Sequence, residues 1–473
     1  MLMVQVPLQL LIHHPMMIGI NMKGFHKTCQ GASHIKSNKV CQDFSYCEVT
    51  PELSIILVSD GHGGERYYRS NIGSELACKV SSELIHSFVN QMPSDFFAGT
   101  PLTQYGVKGE CCGQPSKRHI DALRQLGNSI IATWRAQIEK HSKENPISEE
   151  EKTLIPEEYF GDLTDKERFA KVYGCTLIGY VQTPTYWFGF QIGDGKCISF
   201  HHETGPKEPI LWDDSCFLNK TTSLCDSYAS DKIRYSFQGD GGFPYAVFMG
   251  SDGLDDSFGE DKNLINFYIQ VLKLAYKSNP TNVEDVLASD LPVLSKRGSQ
   301  DDMSVAAVYN ELEAKSAITE ITEWQLANTL GELNQNKARI HKFHKERKSL
   351  VDAKDTNPKA AVDYDYAVKE IKAAVEIRKR LIERYDTLAK ELNEDNPKLF
   401  LDDIPYEKVI PQPTLSDTSA QKETETSISD NPTKSPKLPD TGSHIYGKRR
   451  TFKDRRNLKL KRKFLKKKRR NKN

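Results

Sequence analysis

The stretch "LSIILVSDGHGG", Leu53 to Gly64, decides how the chain is read. Its apolar, β-branched run has the composition of a buried strand, and it stops abruptly at Asp60. An imidazole, His62, and three glycines follow. Asp-Gly is a common turn dipeptide, so this stretch alone describes a turn as readily as a site. The same pattern recurs downstream. "CTLIGYVQ" (175–182), "TYWFGFQIGD" (185–194), "YAVFMGSD" (245–252) and "MSVAAVYN" (303–310) are strand-like, and several meet an aspartate and a glycine at an end.

Two longer segments with helical periodicity separate the first two runs. In "NIGSELACKVSSELIHSFVNQ" the residues Ile72, Leu76, Val80, Leu84 and Phe88 recur every four positions, and a second helix starts near Ile120. Strands, two helices and then more strands predict an α+β fold, with antiparallel sheets covered by helices.

Acids at strand ends gather along one edge of a sheet. Carboxylates brought together repel unless a cation neutralises them. Hard divalent ions such as Mn²⁺ and Mg²⁺ take oxygen ligands of this kind. Glycine beside such a ligand allows a backbone carbonyl to approach. "CQDF" (41–44), "QIGDGKC" (191–197), "MGSDGLDDSF" (249–258) and "GSQDDMSV" (298–305) are each explicable as turns or helix caps, and only their combination points to a metal centre.

That combination resembles the metal-dependent protein serine/threonine phosphatases of type 2C. "SDGHGG", "YGCTLIGYV", "FQIGDGKC", "FMGSDGLDD" and "GSQDDMSVAAV" stand in that family's order over roughly residues 24–310. The resemblance implies a central β-sandwich of two antiparallel sheets flanked by helices, with Mn²⁺ or Mg²⁺ at one end, two ions and a third weaker one. It assigns Asp60 to bridge two metals, Gly61 to offer its carbonyl, and Asp252 and Asp301 to the second metal. Asp43 matches the early acid and Asp194 the acid of the third site, where Asp256 would assist. His62 matches the general acid. The implied activity is hydrolysis of phosphoserine and phosphothreonine in proteins by a metal-activated bridging water.

The chain departs from that pattern in places. Gln42 replaces an acid that engages metal-bound water. "GCTL" puts Cys175 near the core, and "GDGKC" lacks the usual Ser-Arg. No arginine precedes the first motif to grip substrate phosphate; His34, Lys36 or Lys39 are the available replacements. A catalytically weak phosphoprotein-binding or scaffold protein is therefore the alternative reading, and a small-molecule phosphoesterase is a third. The "GASH…CQDF" variant looks like a bacterial branch of the family, which implies a cytoplasmic protein.

The remaining regions carry less chemistry. Residues 1–21 are apolar but broken by His13, His14 and Pro15, and lack a positive leader, so a disordered or mis-assigned extension is expected. The catalytic region is expected over 22–310. Residues 311–395 carry apolar stripes (Leu326, Leu330, Leu333, Ile340; then Tyr364 to Leu392) that predict a helical hairpin or coiled-coil arm. Such an arm would either pack one face on the catalytic body or self-associate. Residues 396–447 have the composition of a disordered linker. The 448–473 tail holds 16 Lys or Arg and one acid, a charge of +15, which leaves −14 on the rest of a chain whose net charge is only +1. It is either solvated, docked on the acidic body, or a non-specific binder of nucleic acid or an anionic surface. All ten cysteines fall between Cys29 and Cys225 without a CxxC pair, as expected for free thiols in a reducing compartment. No stretch reads as transmembrane.

Overall fold

The strand predicted from "LSIILVS" is buried on both faces. Ile55 and Leu57 face one way, into a cluster with two long helices. Ile56 and Val58 face the other way, into a second cluster between two sheets. The period-2 alternation of a strand produces both contacts, and each buried aliphatic side chain contributes about 1.5–3 kcal/mol. This strand therefore lies inside a layered body in the computed structural model. The structure describes residues 21–393 except 108, 114–115 and 217–219; the rest of the N-terminal extension, the 396–447 linker and the basic tail lie outside the described residues.

The strands are β1 (Met22–Cys29), β2 (Phe44–Val49), β3 (Ser54–Ser59), β4 (Thr103–Tyr105), β5 (Cys111–Cys112) and β6 (Leu177–Gln182). They continue as β7 (Trp187–Ile192), β8 (Lys196–His201), β9 (Gly205–Lys207), β10 (Arg234–Gln238), β11 (Ala246–Gly250) and β12 (Met303–Asn310). One sheet has the order β1-β12-β11-β8-β9, the other β2-β3-β6-β7-β10-β4-β5, and all pairings are antiparallel. The inter-sheet cluster joins Ile56, Val58, Ile178 and Tyr180 to Val247, Met249, Ala306 and Val308. This is the sandwich expected from the sequence.

The helices are α1 (Ala32–Ser37), α2 (Ser70–Gln91), α3 (Lys117–Glu144), α4 (Glu149–Leu154), α5 (Phe169–Val172), α6 (Asp252–Phe258), α7 (Asp261–Ala275), α8 (Pro280–Arg297) and α9 (Glu311–Ser316). α2 and α3 cover the sheet that contains β3. α7 reaches the other sheet, where Tyr268 stacks on Phe248 at 4.8 Å. The face of α2 departs from the expected stripe. Val80 and Phe88 of that stripe are buried with Gly73, Ser74, Ala77, Cys78 and Ser81, whereas Ile72, Leu76 and Leu84 are only partly so. Small residues let the helix approach closely: a Cβ on Gly73 would stand 1.9 Å from the Tyr173 carbonyl oxygen.

A second unit begins at Ser316. It holds α10 (Ile318–Leu350) and α11 (Pro358–Glu391). The turn between them ends at Asn357, whose side chain caps α11 by accepting from the Lys359 and Ala360 N–H groups, with Pro358 at the first helical position. Ile340, Phe343, Ile371 and Val375 form one buried cluster between the helices, and Leu333, Leu381 and Tyr385 another. The apolar stripes are thus mostly used within the hairpin, while Leu330 stays exposed.

Glycine-to-alanine changes in the two units should have opposite signs. Gly73→Ala should destabilise the sandwich by about 1–3 kcal/mol, because backbone oxygen blocks the new methyl. Gly331→Ala, in α10 with nothing within 4 Å of the added Cβ, should stabilise the hairpin by up to about 1 kcal/mol. Thermal unfolding of each variant reads both; equal effects would contradict this packing.

Candidate active site

The backbone around Asp60 is stitched to the neighbouring strand. Asp60 N–H donates to Thr176 Oγ1 (3.1 Å), and Thr176 N–H returns a bond to the Asp60 carbonyl (2.8 Å). Gly61 bridges to Cys175 and donates to the Gln42 carbonyl at 3.1 Å. Any Cβ at Gly61 would lie 2.4 Å from that Gln42 oxygen, so this glycine permits a close approach. His62 N–H donates to Gly174 O (3.0 Å), and its ring meets Tyr67 edge-on at 4.8 Å.

Four carboxylates converge here from four loops. Asp43 precedes β2, Asp60 follows β3, Asp252 opens α6 after β11, and Asp301 precedes β12. Burial is the first cause raising each carboxyl above its ordinary value, and the other acids add to it. Asp60 and Asp252 share a hydrogen bond, and Asp252 is raised to about 7. Asp43 feels Asp302, Asp301 and Asp252, and its Oδ2 is buried without a hydrogen-bond partner. Asp194 lies in the β7–β8 hairpin, where Thr221 Oγ1 donates to it at 2.7 Å. It joins the group through its repulsion with Asp252, and the exposed Asp256 acts on Asp194, Asp252 and Asp301. Among the described residues no three His, Cys, Asp or Glu side chains already stand as a complete ion-binding set.

His62 is different. Its pKa is lowered to about 4, and burial is the cause. Gln42 does not turn toward the acids. Its amide donates to Ser70 Oγ (2.6 Å) and to the His62 carbonyl (3.2 Å), and so supports the loop.

One residue within a quoted motif acts as a clamp that sequence reasoning passed over. Asp302 is buried and accepts from the backbone N–H of Gly31 and of Gln42, both at 2.6 Å. His34 Nδ1 lies 2.9 Å from its Oδ2, and His34 is itself buried, with its pKa raised first by that bond. Asp302 therefore ties β1, α1 and the segment before β2 to the start of β12. The doublet "DD" was its only signal, and it looked like a charged turn. Arg234 is a second such residue. Fully buried, it donates to the carbonyls of Gly193 and Leu211 and braces the hairpin that carries Asp194.

The replacements considered for the phosphate-gripping arginine are distributed unequally. His34 faces inward to Asp302, and Lys36 is exposed on α1. Lys39 is exposed, and its Nζ lies 3.1 Å from the Gly63 carbonyl, on the loop that bears His62. Lys196, in "GDGKC", is paired with Glu208 (3.0 Å) and Asp261 (3.5 Å) and covers Trp212.

Comparison with known proteins gives a family match. The family model described as Protein phosphatase 2C matches residues 30–289. Similar solved structures include the catalytic domain of the serine/threonine phosphatase PstP in complex with two manganese ions, at 12% identity over 61% of this chain and 98% of that one (TM-score 0.34). PppA, a regulatory component of the type VI secretion system in Pseudomonas aeruginosa, is 14% identical over 61% and 98% (TM-score 0.36). The S. agalactiae serine/threonine phosphatase is 16% identical over 61% and 99% (TM-score 0.34). No match was found among curated proteins.

Two outcomes follow from this geometry. Asp302→Ala should cost about 1–3 kcal/mol for each backbone donor left unmet, read by denaturant unfolding. Asp252 binds its proton more tightly folded than unfolded, so its stabilising effect is present at low pH and lost as pH rises through about 7. In EDTA the melting temperature should fall between pH 5 and pH 8, and Asp252→Asn should flatten that fall. An unchanged slope would remove Asp252 from the repelling group.

Proposed function

This chain belongs to the protein phosphatase 2C family, and on that premise we propose that it hydrolyses phosphoserine and phosphothreonine in proteins, with Mn²⁺ or Mg²⁺ held by its own carboxylates. The observation that carries the proposal is the convergence of a buried Asp43, half-buried Asp60 and Asp252 and an exposed Asp301, each raised by desolvation and by its neighbours. An all-oxygen set that includes a buried Asp43 oxygen without a hydrogen-bond partner fits hard cations. Asp60, with the Gly61 carbonyl, would hold two ions, Asp252 and Asp301 one of them, and Asp194 a third, weaker one. Bound there, such ions supply a water of lowered pKa and Lewis-acid polarisation of the phosphoryl oxygens.

The chain's own residues do the remaining work. Thr176, Gln42 and Gly174 fix the 60–62 loop through the bonds described above. His62 would give a proton to the departing serine oxygen. Its burial keeps it neutral in the free protein. A phosphate dianion beside it would favour the imidazolium, which places its charging within the substrate complex. Lys39 is the replacement for the missing arginine that its position favours, ahead of His34 and Lys36.

The second reading, a catalytically weak phosphoprotein-binding protein, draws on the absence of that arginine and the enclosure of His34. One assay separates the two. With Mn²⁺, wild type should cleave a phosphoserine peptide, and EDTA or Asp60→Asn should abolish cleavage. If the peptide binds but Mn²⁺ gives no rate above Asp60→Asn, the scaffold reading holds. His62→Gln should lower kcat on the peptide by about 10²–10⁴-fold, and much less on p-nitrophenyl phosphate, whose leaving group needs no proton. Lys39→Met should raise KM for the peptide more than Lys36→Met does.

No helix among the described residues is long and apolar enough to cross a membrane.

A further inference from the structure

No side chain or backbone group among the described residues hydrogen-bonds the ring nitrogens of His62. An imidazole that exchanges protons is commonly aimed by such a bond from a third group. Around His62 packing takes that part. The Tyr67 ring meets the imidazole at 4.8 Å and 77°, a separation and angle that aromatic pairs favour. Gly174 closes another side. A Cβ there would stand 2.8 Å from His62 Cδ2 and 2.8 Å from Tyr67 Cδ1, so only a bare glycine backbone admits both rings. The Gly174 carbonyl also accepts from the His62 N–H at 3.0 Å, which fixes the root of the side chain.

Tyr67 is itself held. It ends a single 3₁₀ turn, Glu65–Tyr67, and its N–H donates to Gly64 O at 2.9 Å. Arg66 Nε donates to the buried Asp162 at 2.8 Å, and Arg168 meets the other oxygen of that carboxylate at 3.1 Å. Arg69, buried two residues after Tyr67, donates to both oxygens of Glu151 (2.7 Å each) and to the Tyr173 hydroxyl (3.1 Å). A two-pronged guanidinium–carboxylate pair fixes direction as well as distance. The turn between His62 and α2 is thus tied on both sides of Tyr67 to residues 151–173.

We propose that Tyr67 is a positioning residue: with Gly174 it aims the His62 imidazole at the departing serine oxygen, and the Arg66–Asp162 and Arg69–Glu151 pairs keep it there. This rests on the phosphatase reading, and it gives the task to the Tyr67 ring rather than to its hydroxyl.

Kinetics of the full chain with Mn²⁺, on a phosphoserine peptide and on p-nitrophenyl phosphate, test it. Tyr67→Leu should lower kcat on the peptide by about 10–100-fold, the scale on which a misdirected reacting group loses rate, with KM little changed. The loss on p-nitrophenyl phosphate, whose leaving group needs no proton, should be much smaller. Tyr67→Phe should restore the wild-type rate. Gly174→Ala, which pushes the same two rings from another side, should show the same split between substrates. In a His62→Gln background Tyr67→Leu should cost nothing further, because residues that act as a unit are not additive. Thermal melts establish that each variant is folded; if Tyr67→Leu is not, Gly174→Ala decides. A folded variant with equal losses on both substrates, an undiminished loss in the His62→Gln background, or Tyr67→Phe as slow as Tyr67→Leu overturns the proposal and leaves the phosphatase reading standing. A wild type that Mn²⁺ does not activate on the peptide overturns the phosphatase reading, and this proposal with it.

Discussion

Mutual repulsion of carboxylates crowded at one end of the sheets is the constraint around which the sandwich is arranged. Asp43, Asp60, Asp252 and Asp301 come from loops that are distant in sequence, and nothing in their own chemistry favours proximity. They are forced together by strands whose apolar faces must be buried. The cost of crowding is met by groups that hold the backbone rather than the charges. Thr176 hooks Asp60, Ser251 bonds Asp43, and Asp302 anchors Gly31 and Gln42. A group of acids kept in place this way has a strong affinity for positive charge, which links packing to the proposed chemistry.

The parts of the fold that could be read in the sequence were those in which burial dictates composition. β3, β6, β7, β11 and β12 are buried along nearly their whole length, so they are continuous apolar runs. β1, "MKGFHKTC", fully buries only Phe25 and Cys29, and its polar content concealed it. α7 and α8 left a weaker periodic mark, because α7 is buried on most of its faces and Pro292 interrupts α8. On α2 the expected stripe is only partly the contact face: Val80 and Phe88 are in it, and Ile72, Leu76 and Leu84 lie at its edge. That face joins Val80, Ile85 and Phe88 to glycine, serine and alanine, and the small residues leave no mark on a hydrophobic pattern.

A similar division holds at the site. Asp60 and Asp252 were legible because each follows a strand-like run and is itself followed by glycine. Asp302, Arg234 and Thr221 were not. They act on backbone groups or on one carboxylate through contacts spanning 27 to 271 residues, and no local spacing encodes such reach. The three residues weighed for the missing arginine show the limit most clearly. His34, Lys36 and Lys39 lie within six residues, yet one turns inward to Asp302, one projects from α1, and one reaches the His62 loop.

The sheet order has a consequence for how the protein is made. β1, the first described strand, pairs only with β12, whose residues are synthesised more than 270 positions later. At about 5–20 residues per second a ribosome needs on the order of tens of seconds to deliver that partner. Until then β1 has an open edge, and Asp301 and Asp302 have not yet emerged. The nascent chain therefore cannot complete its acidic centre piecemeal. The sheet is complete only once β12 lies between β1 and β11.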